Sequence, residues 1–133
     1  MYTATEWSTV ADKEKFERQF KRFVLSGFKQ TQFPKWFYNR LSNCFSHIAH
    51  YNQDGFFHVW FSTTEKQKAF LINAARHPCY GQPEYTFCDV EKVLQRWIKD
   101  SGLVEKYSVQ VAFETELRER ELLATLKSKY EGV

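Results

Sequence analysis

Tyr107-Ser-Val-Gln-Val-Ala-Phe113 alternates larger apolar residues with small or polar ones at a period of two. That is the spacing of a strand with one buried face, because successive side chains of an extended chain point to opposite sides. A second stretch, Phe56-Phe-His-Val-Trp-Phe61, is short, aromatic and bounded by turn residues, and it also predicts a strand. If both are strands, the chain is an α+β domain with a small two- or three-stranded sheet. If both are turns of helix, it is an all-α bundle, because a six-residue aromatic run fits either. The α+β fold is the expectation, with the all-α bundle as the alternative.

The flanking segments predict helices. Thr9-Val-Ala-Asp12 has the form of a capping box with a short acid in place of Glu, and Phe16, Phe20, Phe23 and Val24 follow at helical spacing up to Gly27. A helix over about 10–26 results. Pro34 suits the next helix start, and Phe37, Leu41, Cys44, Phe45 and Ile48 form one apolar stripe. Asn52-Gln-Asp-Gly55 reads as a turn with positive φ at Gly55. Ser62-Thr-Thr-Glu65 opens a helix that runs to about residue 76, with Ala69, Phe70, Leu71 and Ile72 as candidates for burial. Pro78, Gly81 and Pro83 mark a loop. Val90, Val93, Leu94, Trp97 and Ile98 give an amphipathic helix over about 87–100, stopped by Gly102. A last helix starts near Thr115, with Glu114–Arg118 and Glu116–Arg120 as favourable pairs and Leu122, Leu123, Leu126 and Tyr130 as its docking face. Five helices and a small sheet in 133 residues, with no repeat or linker, make one domain spanning 1–133.

The charge is unevenly placed. Residues 18–53 contain no Asp or Glu but carry Arg18, Lys21, Arg22, Lys29, Lys35 and Arg40, a net of +6; residues 84–133 carry a net of −2. The acidic half either folds over the basic stretch or leaves it open to an anionic partner. Hydrophobic residues at 43% exclude general disorder. The start of the chain lacks a signal peptide's basic and apolar regions, and no apolar run reaches the roughly 18 residues of a membrane span. Three cysteines, an odd count without a CxxC pair, argue against a disulfide framework and for a reducing, cytoplasmic setting without membrane contact.

The helix after Pro34 bears a second stripe of Trp36, Arg40, Asn43, His47 and His50, about 120° from the apolar one. With Lys29 and Lys35 these are the candidate binding residues. An indole and a guanidinium on one helical side have the composition of a protein interface. The expected function is a non-enzymatic interaction protein, an inhibitor or adaptor, whose basic aromatic face engages a larger acidic protein or a nucleoprotein complex. Its size and lack of motifs match the general character of phage and mobile-element accessory proteins. Direct nucleic-acid binding is the alternative, with Phe28, Phe33, Trp36 or Tyr38 stacking on bases. A nuclease or hydrolase using His47, His50 and His58 with Arg40 comes third. The chain lacks GxSxG, HExxH, P-loop and GxGxxG patterns. Cys44, His47, His50, His77, Cys79 and Cys88 match no zinc spacing, and Cys44 points into the apolar stripe. No catalytic residue, metal or cofactor is therefore assigned, and oligomeric state is left open.

Overall fold

A computed structural model describes residues 2–44, 52–78 and 81–131, apart from the side chains of residues 42 and 43. It contains α1 (Val10–Leu25), a 3-10 turn (Gln30–Gln32), α2 (Lys35–Cys44), α3 (Gln53–Phe61), α4 (Thr64–Arg76), α5 (Cys88–Asp100) and α6 (Leu103–Glu131). The described residues are mostly helical, and no strand occurs among them. The fold is all-α, which overturns the expected α+β class and its small sheet.

Both predicted strands are helix, for different reasons. The residues read as a turn before Phe56 are a helix start: Asn52 caps α3, and its Oδ1 accepts from the Gly55 N–H at 2.7 Å. A short polar side chain that bonds the backbone three residues on serves a turn or an N-cap equally well. Gly55 is therefore helical and takes no positive φ; Gly27, Gly81 and Gly102 do. In α3 the rings of Phe56 and Phe61 are buried while His58 and Val59 are exposed. Residues 107–113 belong to α6, which runs without Gly or Pro. Its period-two alternation does not mark an inner face, because Val109 and Phe113 are exposed and Tyr107 is half-buried.

The other boundaries follow local chemistry. At α1 both halves of the capping box form: the Thr9 Oγ1 accepts from the Asp12 N–H at 3.1 Å, and the Asp12 Oδ2 accepts from the Thr9 N–H at 2.9 Å. The helix ends in a Schellman motif, with Phe28 N–H donating to the Phe23 carbonyl and Gly27 N–H to the Val24 carbonyl. Gly27 has φ 85° and Phe28 has φ 59°. A left-handed phenylalanine is strained, and burial holds it there: its ring lies 5.2 Å from Phe23 and 5.3 Å from Phe61. α4 starts one residue later than its capping pattern suggests, with Thr63 accepting from Lys66 N–H at 3.2 Å.

α4 packs against α3, α5 and α6, while α1 packs against α2 and α5. The buried residues form a core dominated by phenylalanine: Phe16, Phe20, Phe23, Phe28, Phe33, Phe37, Phe56, Phe61, Phe70 and Phe87. Phe61 is ringed by other aromatics, 4.9 Å from Phe23 and 4.8 Å from Phe70, both edge-to-face. Such pairs add about 0.5–1.5 kcal/mol each beyond the area they bury. In α4, Phe70 and Leu71 are buried as expected, but Ala74 and Ala75 join them and Ala69 faces solvent. In α5, Val90, Leu94 and Ile98 are buried while Val93 is exposed.

Two buried polar pairs join α5 to the rest. Lys13, fully buried on α1, donates to Asp89 Oδ1 at 2.9 Å and to the Pro83 carbonyl at 3.0 Å. His77 meets the buried Glu91 through Nδ1 and Oε1. Phe61→Ala should cost about 3–5 kcal/mol in urea unfolding, because it empties a site walled by rings. Leu25→Ala, at an exposed position of the same core-facing region, should stay within about 0.5 kcal/mol.

Candidate partner-binding face

Lys15, Arg18 and Arg22 recur at i, i+3 and i+7 on α1 and are all exposed. They face outward because Phe16, Phe20 and Phe23 occupy the opposite side of the same helix. Gln19, beside this stripe, donates through Nε2 to the Gln32 carbonyl at 2.9 Å. That bond fastens the 3-10 turn, and with it the start of α2, alongside the stripe. Lys29 and Lys35, at the two ends of this connection, are exposed. Trp36 and Arg40 follow one turn apart on α2, each half-buried.

The Lys15 ammonium lies 4.3 Å from the centre of the Trp36 ring. A cation over an indole face gains about 0.5–1 kcal/mol at an exposed site. The other side of Trp36 rests edge-on against Phe37 at 6.0 Å. Lys15 thereby joins α1 to Trp36 of α2, and Arg18 and Arg22 continue the exposed stripe along α1. The ion pairs of the described residues leave it largely open. Lys21 is the cation of the stretch that is neutralised, by Glu17 at 2.9 Å on its own helix. Of the acids of residues 84–133, Asp89 is engaged with Lys13, Glu91 with His77 and Glu116 with Arg120, while Glu65 meets Arg118.

Acids do border the face: Glu14 is exposed on α1 one turn before Arg18, and Glu17 lies close enough to Arg18 to act on it through space. Asp12 projects from α1 near Arg40 and Lys15, and its carboxyl is held below the usual range. The hydrogen bond from the Thr9 N–H is the main cause, the Thr9 side chain adds to it, and Arg40 and Lys15 contribute through space. The run without acids in the sequence thus has an acidic neighbour from the preceding turn.

Of the candidate binding residues, Lys35, Trp36 and Arg40 share the first turns of α2, and Lys29 is exposed at the start of the 3-10 turn that leads to it. Asn43 lies on α2 but its side chain is outside the described set, and His47 and His50 lie outside the described residues altogether. Phe28 and Phe33, offered as base-stacking rings, are buried in the core and unavailable to a partner. Tyr38 is half-buried against Phe33 and Phe56. Lys15, at the centre of the arrangement, was not among the candidates; its spacing with Arg18 and Arg22 was the available signal.

The possible metal ligands separate. Cys44 is a free, buried thiol, and burial pushes its pKa well up. Cys88 is disulfide-bonded, which corrects the expectation from the odd cysteine count and removes that argument for a reducing compartment. His77 is engaged with Glu91, whose carboxyl is raised by burial and drawn back by His77. Among the described residues, no group of three His, Cys, Asp or Glu side chains is placed to hold a metal. His58 stands exposed on α3, away from Arg40 in the chain and on a different helix. Cys79 lies outside the described residues. No described helix is long and apolar enough to cross a membrane.

Compared with protein-family models, curated proteins and solved structures, the chain matches none of them.

Because the Asp12 carboxyl titrates lower in the folded chain, it binds fewer protons there than when unfolded. The stability it contributes is present above the ordinary carboxylate range and is lost as pH falls through the folded pKa. Urea midpoints of the wild type should therefore exceed those of Asp12→Asn at pH 7. The gap should close below about pH 4; a gap independent of pH would contradict the assignment.

Proposed function

We propose that the chain is a non-enzymatic binding module whose working face is the α1–α2 surface of Lys15, Arg18, Arg22, Lys29, Lys35, Trp36 and Arg40. Its partner is an acidic surface of a larger protein, free or within a nucleoprotein complex. The observation that carries this reading is the Lys15 ammonium 4.3 Å above the Trp36 ring, surrounded by exposed cations that form no ion pair among the described residues. An indole in a setting of guanidinium and ammonium groups supplies an anchor, and the cations steer an acidic partner toward it.

Direct nucleic-acid binding is the weaker reading. Phosphates would suit the same cations, but single-strand binding also draws on rings that stack on bases. Phe28 and Phe33 are consumed by the core, so of those rings only the half-buried Trp36 and Tyr38 remain.

Affinity capture from native lysate tests the reading. Wild-type protein should retain a specific protein partner, and retention should weaken as salt is raised. Trp36→Ala and Arg40→Glu should each reduce capture at least about tenfold while leaving the fold intact by circular dichroism. Equal capture by wild type and Arg40→Glu would refute the choice of face. Retention that depends on nucleic acid and disappears after nuclease treatment would favour the weaker reading.

A further inference from the structure

Cys88 opens α5 and is buried and disulfide-bonded, while Cys44 is a buried free thiol. The chain has three cysteines, so Cys79 is the residue left to pair with Cys88. That bond closes a loop of ten residues, 79–88, between the end of α4 and the start of α5. Burial pushes the Cys44 thiol well up, so little thiolate forms there to exchange with the bond.

The flanks of this loop are fixed by other means. On the α4 side, Gln95 of α5 donates to the Ala74 carbonyl at 3.1 Å and to the His77 carbonyl at 2.6 Å, and the His77 ring meets Glu91. On the α5 side, the Phe87 ring stands edge-on to Phe16 at 5.7 Å. The middle is held more lightly. Gly81, Gln82, Glu84 and Tyr85 are exposed, so the loop lies within reach of a dissolved reductant. The Tyr85 and Thr86 N–H groups donate back to the Gln82 carbonyl at 2.9 and 3.0 Å and make a turn. Among the described residues, one hydrogen bond ties this middle to α1: the Lys13 ammonium donates to the Pro83 carbonyl at 3.0 Å. The other partner of Lys13, Asp89, belongs to α5 and does not depend on the loop.

We infer that Cys79 and Cys88 form a redox-sensitive clamp, which holds the middle of the loop against α1 when oxidised and loosens it when reduced. The chemistry is thiol–disulfide exchange with a dithiol. One thiolate of the dithiol attacks the bond, the S–S bond of the chain breaks, and the second thiol closes the reductant into its own disulfide. Two electrons and two protons pass to the chain, and Cys79 and Cys88 are left as thiols. The loop is the part that answers. α4 and α5 stay joined through Gln95 and Glu91 in both states, while the turn at Gln82 is left with Lys13 as its tie to α1. The closed form belongs to an oxidising setting and the open form to a thiol-rich one. The clamp uses none of the residues of the α1–α2 face and stands independently of it.

Peptide mapping of the full chain without reductant tests the pairing. Trypsin and a Glu-specific protease cut after Arg76, Glu84 and Lys92, which puts the two cysteines on separate peptides. These should stay joined until dithiothreitol is added, with Cys44 unlinked. Amide exchange and urea unfolding test the clamp. Dithiothreitol should speed exchange at Tyr85 and Thr86 at least about tenfold. It should raise the unfolding equilibrium constant about a hundredfold, the scale set by opening a loop of this length. Cys79→Ser, which leaves the buried Cys88 in place, should match reduced wild type and no longer respond to dithiothreitol. Cys79 and Cys88 found unlinked in the oxidised chain, or either found joined to Cys44, would overturn the inference. So would equal exchange and equal urea midpoints with and without dithiothreitol.

Discussion

The structure depends on phenylalanine packing around Phe61. Its ring touches Phe23 of α1, Phe28 and Phe33 of the following connection, Phe56 and Phe57 of its own helix, and Phe70 of α4. That assembly decides which side of each neighbouring helix faces inward. Once Phe16, Phe20 and Phe23 are committed to the core, Lys15, Arg18 and Arg22 are left pointing to solvent. The basic face is in this sense a consequence of where the rings go. The same packing draws Phe28 into a left-handed backbone conformation, a strain of order 1–3 kcal/mol that the surrounding contacts must offset.

Electrostatics completes the arrangement in a selective way. The buried ammonium of Lys13 takes Asp89 as its counter-ion. A buried charge deprived of its partner costs about 3–5 kcal/mol, so this pair fixes α1 against the start of α5. It also occupies an acid of the second half that the basic stretch would otherwise compete for. Glu65 and Glu116 also have cation partners, in exposed pairs with Arg118 and Arg120. The α1–α2 cations keep their charge facing outward, with Asp12, Glu14 and Glu17 at their border.

Much of this is legible from residue spacing, and the failures have physical causes. The α1 capping box, the Gly27 stop, the buried Cys44 and the Val90–Leu94–Ile98 face are read correctly because each rests on a local geometric rule. Phe56-Phe-His-Val-Trp-Phe61 defeats periodicity because nearly every position is apolar, and its Asn52 cap has the same chemistry as a turn. Residues 107–113 mislead because a helix packed on one side can show alternation by coincidence. The division of α6 into strand and helix then hid both its length and the exposure of its apolar residues. Of the proposed face, Trp36 and Arg40 follow from helical spacing on one helix. Lys15 becomes part of it only through the packing of α1 on α2, which no spacing within either helix contains. The disulfide at Cys88 is hidden for a related reason, since pairing depends on approach in space and not on the parity of a count.

The central claim is that rings are taken inward while the α1–α2 cations stay free at the surface and Lys13 alone among the nearby lysines is sealed in. Pulsed acylation of lysines under native conditions, read by peptide mass spectrometry, tests it most directly. Lys15, Lys29 and Lys35 should modify rapidly and Lys13 only when the chain unfolds. Rapid modification of Lys13, or protection of Lys29 and Lys35 equal to that of Lys13, would contradict the account.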